Sequence, residues 1–348
     1  MRPTNPYEYL KVKRRELDKI DREILELLKK RIETVSEITN IKKTLNLPVV
    51  DEEREEEVLK SRSIWATEMG LDWRYVEDLF SVVLTMSRSV QLYANEKIYV
   101  GIYGYGGMAR TLAGLFARAG HEVVITGRNM DKARELAERL KVTAKEPEKV
   151  AKEVEWLILT TPPDATLEVA RKLVKHMRSG SLLSDVLSIK LGIVDKLVEE
   201  LPEYIEYISL HPLFGPDVNP VGETVVMIPL KSYDYWIGKL NSILTALGLR
   251  VVITTLEEHE RVMAITQVPH HFALMALQET MERLSKELGV NYKDYITHSL
   301  RKTMEVVERL NELKGVIEEI QRNKYSKLSR ETFIEVAREL NERFNRSS

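Results

Sequence analysis

The 348-residue chain contains no cysteine, which excludes a disulfide framework, a cysteine-ligated zinc site and a thiol nucleophile. It also lacks an apolar run of about 18 residues, the length that a membrane-spanning helix needs. The 52 basic and 54 acidic residues nearly cancel, so the basic excess typical of nucleic-acid-binding proteins is missing. The first residues, MRPTNPYEYL, lack the apolar core of a signal peptide. We therefore expect a cytoplasmic protein with neither a nucleic acid nor a membrane as partner.

Glycine and proline are scarce at both ends of the chain and common in its middle. The first 100 residues contain one glycine, residues 101–248 contain 13 of the 16, and no proline follows Pro269. Because these residues mark turns and loops, the distribution predicts a multi-domain protein. We expect an all-α domain over residues 1–94, an α/β domain over 97–256 and a second all-α domain over 257–348. No metal site is predicted.

One long helical pattern dominates the first domain. Residues 7–47 contain neither glycine nor proline, and apolar side chains from Leu17 to Leu45 recur at helical spacing. A helix of about 38 residues would be nearly 60 Å long at roughly 1.5 Å per residue. Such a helix is too long to bury its apolar stripe within one small domain. We expect it to pack against a second copy of the chain in a homodimer, followed by helices starting near Asp51 and over residues 72–93.

Charged side chains interrupt this apolar stripe. Arg31 and Lys42 are 11 residues apart and return to nearly the same helix face, and Arg14 precedes Leu17 by about one turn. One interpretation is that these residues flank a coiled-coil seam, with their charged ends in solvent. The alternative is that the cations together form a binding site for a dianion.

Residues 8–93 resemble the small all-helical chorismate mutases. The matching features are L-D-x-I-D at 17–21, P-V-x-D-x-x-R-E at 48–55 and S-x-x-x-Q at 87–91. The resemblance implies a site that binds both carboxylates of chorismate, donates to its ether oxygen and holds its ring hydroxyl. The implied carboxylate-binding residues are Arg14 (from the second subunit) and Arg31, helped by Ser87. The ether donors are Lys42 and Gln91. Glu55 and the backbone near Asp51 hold the hydroxyl, and Arg54 lines the site.

The residue types suit that reaction. The rearrangement of chorismate to prephenate is intramolecular and needs neither a nucleophile nor a proton transfer. It needs the compact conformer to be held by fixed cations and donors aimed at the oxygen that gains charge as the C–O bond breaks. Arginine suits this role because its guanidinium group binds a carboxylate through two parallel hydrogen bonds.

The second domain opens with a dinucleotide-binding fingerprint. Residues 97–103 form a short apolar run, Gly104, Gly106 and Ala109 follow as G-x-G-x-x-A, and a helical pattern and a second apolar run come next. Within a strand–helix–strand unit this motif predicts a Rossmann-type fold that binds the cofactor pyrophosphate at the helix N-terminus. The alternative is a strand–helix turn without a ligand. The predicted cofactor-binding residues of the loop are Gly104, Tyr105, Gly106, Gly107, Met108 and Ala109.

The end of the second predicted strand bears on the choice of cofactor. An NAD site usually carries Asp or Glu there, whereas this chain has Thr126, Gly127, Arg128 and Asn129. We predict NADP, with NAD as an alternative, because Arg128 could pair with the 2′-phosphate. It could instead stack on adenine or face solvent. Thr126, Asn129, Thr161 and Pro162 complete the predicted cofactor site.

Two further motifs follow predicted strands, whose carboxyl ends face the ligand crevice in such a sheet. They are D-x-x-S-x-K at 185–190 and H-P-x-F-G-P at 211–216. His211 lies between a strand and two prolines, which predicts a stiff turn. A single histidine is commonly structural, but this position behind a dinucleotide fingerprint favours a functional role.

Residues 97–325 resemble prephenate dehydrogenase through these motifs, E-H-E at 258–260, Q-x-x-x-H-F at 267–272 and R-x7-R at 301–309. The resemblance implies that His211 accepts the proton of the substrate's ring hydroxyl and that Ser188 orients that hydroxyl. It also implies that Arg301 and His271 bind substrate carboxylate. His270 is a rival to His271, although spacing from His259 favours His271. The helical tail resembles a dimerisation and substrate domain.

Together the two resemblances imply a bifunctional enzyme of tyrosine biosynthesis, because a mutase makes the prephenate that a dehydrogenase consumes. Chorismate and prephenate would be its substrates. The alternatives are an arogenate dehydrogenase fused to a mutase, another β-hydroxyacid or imine reductase, and a redox-sensing NAD(P) protein with an N-terminal dimerisation arm.

Overall fold

The computed structural model describes residues 6–45, 52–90, 97–190, 192–216, 218–312 and 314–347. The chain begins with three helices: α1 (Pro6–Thr44), α2 (Glu52–Glu68) and α3 (Trp73–Val90). An alternating region follows: β1 (Tyr99–Tyr103), α4 (Gly107–Arg118), β2 (Glu122–Thr126), α5 (Met130–Leu140), β3 (Thr143–Ala144), α6 (Pro147–Glu153), β4 (Trp156–Leu159), α7 (Pro163–Val174), β5 (Leu182–Asp185), α8 (Val194–Glu200), β6 (Glu206–Pro212), β7 (Thr224–Lys231), α9 (Asp234–Ala246) and β8 (Arg250–Ile253). The last helices are α10 (Leu256–Leu288), α11 (His298–Glu312), α12 (Lys314–Ile320) and α13 (Ser326–Ser347), with a 3-10 turn at Lys293–Tyr295.

The predicted long helix is confirmed, since α1 extends over 39 residues. It contacts α3 around the buried Val35, but most of its apolar stripe lies in solvent. Leu27, for example, is 67% exposed and Ile41 is 59% exposed. A helix with such a stripe is stabilised by packing rather than by propensity alone. The geometry is that expected of a helix that packs on a second copy, and the dimer itself stays a prediction.

The alternating region forms one eight-stranded sheet in the order β3-β2-β1-β4-β5-β6-β7-β8. All pairs are parallel except β6 with β7. Helices cover both faces, around Trp156 and Phe116 on one side and Tyr207 and Leu173 on the other. The strand order reverses between β1 and β4, which opens a crevice at the carboxyl ends of the strands. The predicted α/β architecture is therefore confirmed.

His211 lies in a strand, and the expected stiff turn begins only after it. Strand β6 continues through Pro212, and His211 pairs with Val226 of the antiparallel strand β7. The missed partner β7 explains the difference, because its hydrogen bonds carry β6 past Leu210. The Leu213 N–H still donates to the Thr224 carbonyl at 2.9 Å. His211 is therefore held by the sheet rather than by a loop.

The C-terminal helices are anchored to the sheet through the first turns of α10. Thr255 caps this helix by accepting from the Glu258 N–H at 3.2 Å, and the helix continues through Pro269 to Gly289. It packs mainly on α13. Within the described residues, no helix combines the length and the apolar character needed to cross a membrane.

His121 makes the stability of the sheet dependent on pH. Burial lowers the pKa of its imidazole to about 4, against an unfolded value of about 6.5. The unfolded chain therefore takes up this proton first, so the contribution present above pH 6.5 is lost as the pH falls toward 4. We expect His121→Asn, which can still accept from the Ile98 N–H, to shrink the difference in melting temperature between about pH 7.5 and about pH 5. An unchanged difference in calorimetric melts would contradict this assignment.

Candidate active sites

The loop between β1 and α4 has the shape of a phosphate-binding turn. Gly104 has φ +141°, and a Cβ there would overlap with the Thr160 hydroxyl. Its N–H donates to the Thr126 carbonyl at 2.8 Å, which fixes the loop against β2. Gly106 precedes the first residue of α4, and a Cβ added to it would meet no atom within 4 Å. The helix N-terminus thus faces open space that a pyrophosphate group fits, while Ala109 packs in the core.

The cofactor loop also contacts the segment that follows His211. A Cβ on Gly107 would overlap with the Pro216 ring. Met108 is only partly buried and packs against the core from the same turn. This close approach places the H-P-x-F-G-P segment next to the start of α4. The fingerprint loop and the segment that follows His211 therefore lie side by side.

Two cations lie at the end of β2. Arg128 is exposed directly after the strand, and Lys132, from the first turn of α5, lies over the Tyr105 ring at 5.7 Å. Asn129 has a structural role, because its side chain accepts from the Lys132 N–H at 3.1 Å and caps α5. Sequence reasoning missed Lys132, although its spacing of four residues from Arg128 at a helix start was a usable signal.

Thr161 and Pro162 lie at the end of β4. The Thr161 hydroxyl contacts the Thr166 hydroxyl at 2.8 Å, and Pro162 precedes the first residue of α7. Both residues are at the carboxyl edge of the sheet, as predicted. Their contact with a cofactor stays a prediction.

A buried ion pair connects β5 to β6. Lys190 Nζ lies 2.9 Å from Asp185 Oδ1, and both side chains are fully buried. The same ammonium group donates to the Leu210 carbonyl at 2.6 Å, and the Tyr207 hydroxyl donates to Asp185 at 2.6 Å. Burial tends to raise the pKa of Asp185, yet the Lys190 charge and its hydrogen bonds hold that pKa below its ordinary value. Half-buried Ser188 lies in the loop that this pair holds.

His211 is the first member of a buried chain of polar groups. Its Nδ1 lies 2.9 Å from His259 Nε2, and His259 Nδ1 lies 3.3 Å from Glu260 Oε1. Asn323 Nδ2 donates to Glu260 Oε2 at 2.8 Å and to the Glu260 carbonyl at 3.0 Å. Burial, followed by the charge of Lys190 and the contact with His259, lowers the pKa of His211 well below its ordinary value. The lowered pKa favours the neutral imidazole, which is the form that can accept a proton.

Sequence reasoning placed His259 and Glu260 in a motif but gave them no role, and it missed Asn323. The order E-H-E was a usable signal for the first two residues. Asn323 lies 63 residues from Glu260 in the chain, and no local pattern marks it.

The structure distinguishes His271 from its neighbour. His270 is exposed, whereas His271 is half-buried and its Nδ1 is buried without a hydrogen-bond partner. Burial and the adjacent His270 lower the pKa of His271. Arg301 is exposed on α11, and no hydrogen bond joins it to His211 in the described part of the chain. Carboxylate binding by either residue stays a prediction.

A second cluster lies in the N-terminal helices. Arg31 Nη1 donates to the Ser87 hydroxyl, which brings together two of the predicted substrate-binding residues. Burial and the charge of nearby Arg62 lower the pKa of Arg31. Arg62 stacks on Trp65, 4.4 Å from the ring centroid, and its Nε is buried without a hydrogen bond. Among the described residues no carboxylate pairs with either guanidinium group, so their positive charge is available to an anion.

The other predicted mutase residues are more dispersed. Glu55 pairs through both carboxylate oxygens with Arg88 of α3, a partner that the sequence did not predict. Arg54 pairs with Glu57 at 2.7 Å, Lys42 is half-buried, and Arg14 is exposed on α1. Asp51 and Gln91 lie outside the described residues.

Comparisons with known proteins match both parts of the chain. A family model described as chorismate mutase type II matches residues 13–92, and one described as coenzyme F420-dependent NADP oxidoreductase matches residues 99–189. A T-protein of Haemophilus influenzae is 28% identical over 77% of this chain and 69% of its own length. An alignment over 77% of this chain is longer than residues 97–348, so it must include part of the N-terminal helices. A probable arogenate/prephenate dehydrogenase of Methanocaldococcus jannaschii is 31% identical over 56% of this chain. The match covers only 43% of that relative's own length.

Solved structures match the fold. A prephenate dehydrogenase from A. aeolicus, in complex with hydroxyphenyl propionate and NAD+, covers 72% of this chain and 92% of its own, with a TM-score of 0.62 at 18% identity. A Synechocystis arogenate dehydrogenase covers 71% of this chain and 90% of its own, with a TM-score of 0.55 at 20% identity.

Fold and matches together define a two-part chain, in which helices matched by the chorismate mutase type II model precede a Rossmann-type α/β fold. The resemblance of the chain to bifunctional chorismate mutase/prephenate dehydrogenases is thereby confirmed.

Two glycine variants separate cofactor binding from folding. We expect Gly106→Ala to keep the wild-type melting temperature, because its methyl group enters open space, and to weaken dinucleotide binding at least tenfold, about 1.4 kcal/mol. Gly104→Ala should lower the melting temperature, because the methyl group overlaps with Thr160 at a left-handed backbone position. Calorimetric melts and titrations with NADP and NAD check both. Unchanged dinucleotide affinity in Gly106→Ala would contradict the assigned pyrophosphate site.

Proposed function

We propose that this chain is a bifunctional enzyme that rearranges chorismate to prephenate and oxidatively decarboxylates prephenate to 4-hydroxyphenylpyruvate. The single observation that carries the proposal is the buried His211, held at the carboxyl edge of the sheet on a segment that contacts the glycine-rich loop at Gly107. The T-protein match, which extends into both parts of the chain, supports the combination. We place the three domains at residues 1–94, 97–256 and 257–348.

In the dehydrogenase half, the protein's task is to hold a proton and a carboxylate. His211 Nε2 accepts the proton of the ring hydroxyl, and Ser188 orients that hydroxyl. Bound nicotinamide supplies the hydride acceptor for the hydrogen on the same carbon. The ring carboxylate then leaves as CO2, its electron pair makes the ring aromatic, and the proton on His211 returns to the phenolate oxygen. His271 and Arg301 bind substrate carboxylate.

In the mutase half, fixed cations hold the substrate. Arg31, with Ser87 as its buried partner, binds a carboxylate. The like charge of Arg62 repels Arg31, and a bound anion offsets that repulsion. Arg14 contributes from a second subunit, which the exposed apolar stripe of α1 supports. Lys42 and Gln91 donate to the ether oxygen. Arg54, Asp51 and Glu55 complete the site, and the enzyme is a homodimer.

A coupled assay tests both activities. Purified protein receives chorismate with NADP and then NAD, while chorismate loss and the absorbance of reduced nicotinamide are followed. The assay is repeated with prephenate and with arogenate, because the names of the relatives include arogenate dehydrogenases. If the protein oxidises arogenate but not prephenate, then arogenate is the substrate of the dehydrogenase half and the proposal of prephenate is wrong.

Two variants give opposite defects. We expect Arg31→Ala to lower chorismate turnover about 100-fold or more, because a fixed charge on the substrate is lost, and to leave prephenate oxidation intact. His211→Asn should lower prephenate oxidation about 100- to 10,000-fold and leave NADP affinity and mutase activity intact. Wild-type chorismate turnover in Arg31→Ala would contradict the mutase assignment and favour the alternative that the N-terminal helices are a dimerisation arm.

NADP is the proposed cofactor, supported by the two exposed cations Arg128 and Lys132 and by the absence of an acidic residue at the end of β2. We expect Arg128→Ala to weaken NADP binding by roughly tenfold to 100-fold, since a charge-assisted hydrogen bond contributes about 1.5–3 kcal/mol. NAD binding should change little. Lys132→Ala should act in the same direction, and Lys141→Ala, at the far end of α5, is the matched control. Equal losses for NAD and NADP in calorimetric titrations would refute the assignment.

A further inference from the structure

We propose that His259 and Glu260, in the first turns of α10, are positioning residues that determine which nitrogen of His211 carries the proton. The proposal rests on the proposed dehydrogenase function, in which His211 is the base. Neither residue binds the substrate or the cofactor in the proposed mechanism. Both are almost fully buried, at 2% and 1% exposure, so their hydrogen bonds are made within the protein.

The Glu260 carboxylate, at the end of this series of hydrogen bonds, determines which atom donates in each of them. A carboxylate can only accept hydrogen bonds. Asn323 Nδ2 donates to Glu260 Oε2, which leaves Oε1 to accept from His259 Nδ1. His259 therefore carries its proton on Nδ1, and its Nε2 presents a lone pair.

The lone pair on His259 Nε2 determines which nitrogen of His211 carries the proton. Because His259 Nε2 can only accept, the hydrogen bond of 2.9 Å requires the proton of His211 to be on Nδ1. The other tautomer of His211 would bring two lone pairs together in a buried site. Nε2 of His211 is left unprotonated, and the one hydrogen bond of this side chain among the described residues is made by Nδ1. Nε2 is the nitrogen that can receive the substrate's proton.

The charged groups near His211 are compatible with both its neutral and its protonated form. Lys190, paired with Asp185, opposes protonation of free His211. When His211 takes a proton, the added positive charge is balanced by Glu260 through His259. The buried group then contains two cations, on Lys190 and His211, and two anions, on Asp185 and Glu260. Removal of the Glu260 charge would leave a buried imidazolium without a counter-charge.

Asn323 extends this arrangement into the C-terminal helices. It lies between α12 and α13, and one amide nitrogen holds both the carbonyl and the carboxylate of Glu260. Its own Oδ1 accepts from the Tyr325 N–H at 2.8 Å, which fixes the amide orientation. The helical tail thereby supports the base indirectly.

Paired substitutions at position 259 test the positioning role. Glutamine places an acceptor near the position of His259 Nε2, whereas asparagine replaces only Nδ1. We expect His259→Asn to lower kcat for prephenate oxidation about 100-fold and His259→Gln to recover activity to within about tenfold of wild type. KM should stay nearly constant, because neither side chain touches substrate. Equal losses in the two variants would overturn the proposal.

Glu260→Gln removes the charge but keeps the size of the side chain, and we expect it to lower kcat about tenfold to 100-fold. Glu258→Gln is the matched control, because Glu258 is exposed two residues away and its carboxylate accepts from the nearby Thr254 hydroxyl. It should keep wild-type kcat. Wild-type kcat in Glu260→Gln would overturn the role of the carboxylate. Melting temperature and NADP affinity, measured on every variant, identify any loss that comes from misfolding.

Nitrogen NMR of histidine-labelled protein tests the same idea without turnover. The chain has 7 histidines, and comparison with His211→Asn identifies the His211 signals. We expect His211 to be protonated on Nδ1 in the wild type and to lose that preference in Glu260→Gln. A proton on Nε2 in the wild type would overturn the proposal. If the wild type oxidises neither prephenate nor arogenate, the proposed function fails, while this spectrum still decides the positioning role.

Discussion

The buried ion pair between Asp185 and Lys190 is the interaction on which the dehydrogenase half depends. It connects the ends of two neighbouring strands, and its ammonium group holds the carbonyl of Leu210, the residue before His211. Burying two charges is costly unless their hydrogen bonds are satisfied. Here Tyr207, the Leu187 N–H and the Leu210 carbonyl satisfy them. The ammonium group of this pair adds to the effect of burial in lowering the pKa of the neighbouring His211.

The N-terminal helices show the opposite arrangement, in which Arg31 and Arg62 have no carboxylate partner among the described residues. Burial and the charge of Arg62 both lower the pKa of Arg31, and a bound anion would oppose that shift. Glu55 is different, because Arg88 already neutralises it. The N-terminal helices therefore contain two cations without a carboxylate partner among the described residues and one carboxylate, Glu55, that is already paired.

Local constraints were predictable from the sequence, and long-range partnerships were not. Gly104 and Gly106 could be identified because a tight turn and close ligand approach restrict the backbone itself, and the α1 stripe followed from its period. His211 was marked by its strand end, but its partner His259 lies 48 residues away and only the fold joins them. Strand β7 was missed because Pro229 interrupts a run that is otherwise apolar. Arg62 and Arg88 belong to no motif, so only the packing of α2 and α3 reveals their positions.

The guanidinium group of Arg88 touches both halves of the molecule. On one side it pairs with Glu55 of α2, and on the other it lies so close to Gly222, before β7, that no Cβ fits between them. Gly222 also needs its left-handed backbone, with φ +92°. Within the described residues, this contact joins the N-terminal helices to the turn before β7. Any side chain added at position 222 would therefore have to displace Arg88, and with it the hydrogen bonds to Glu55.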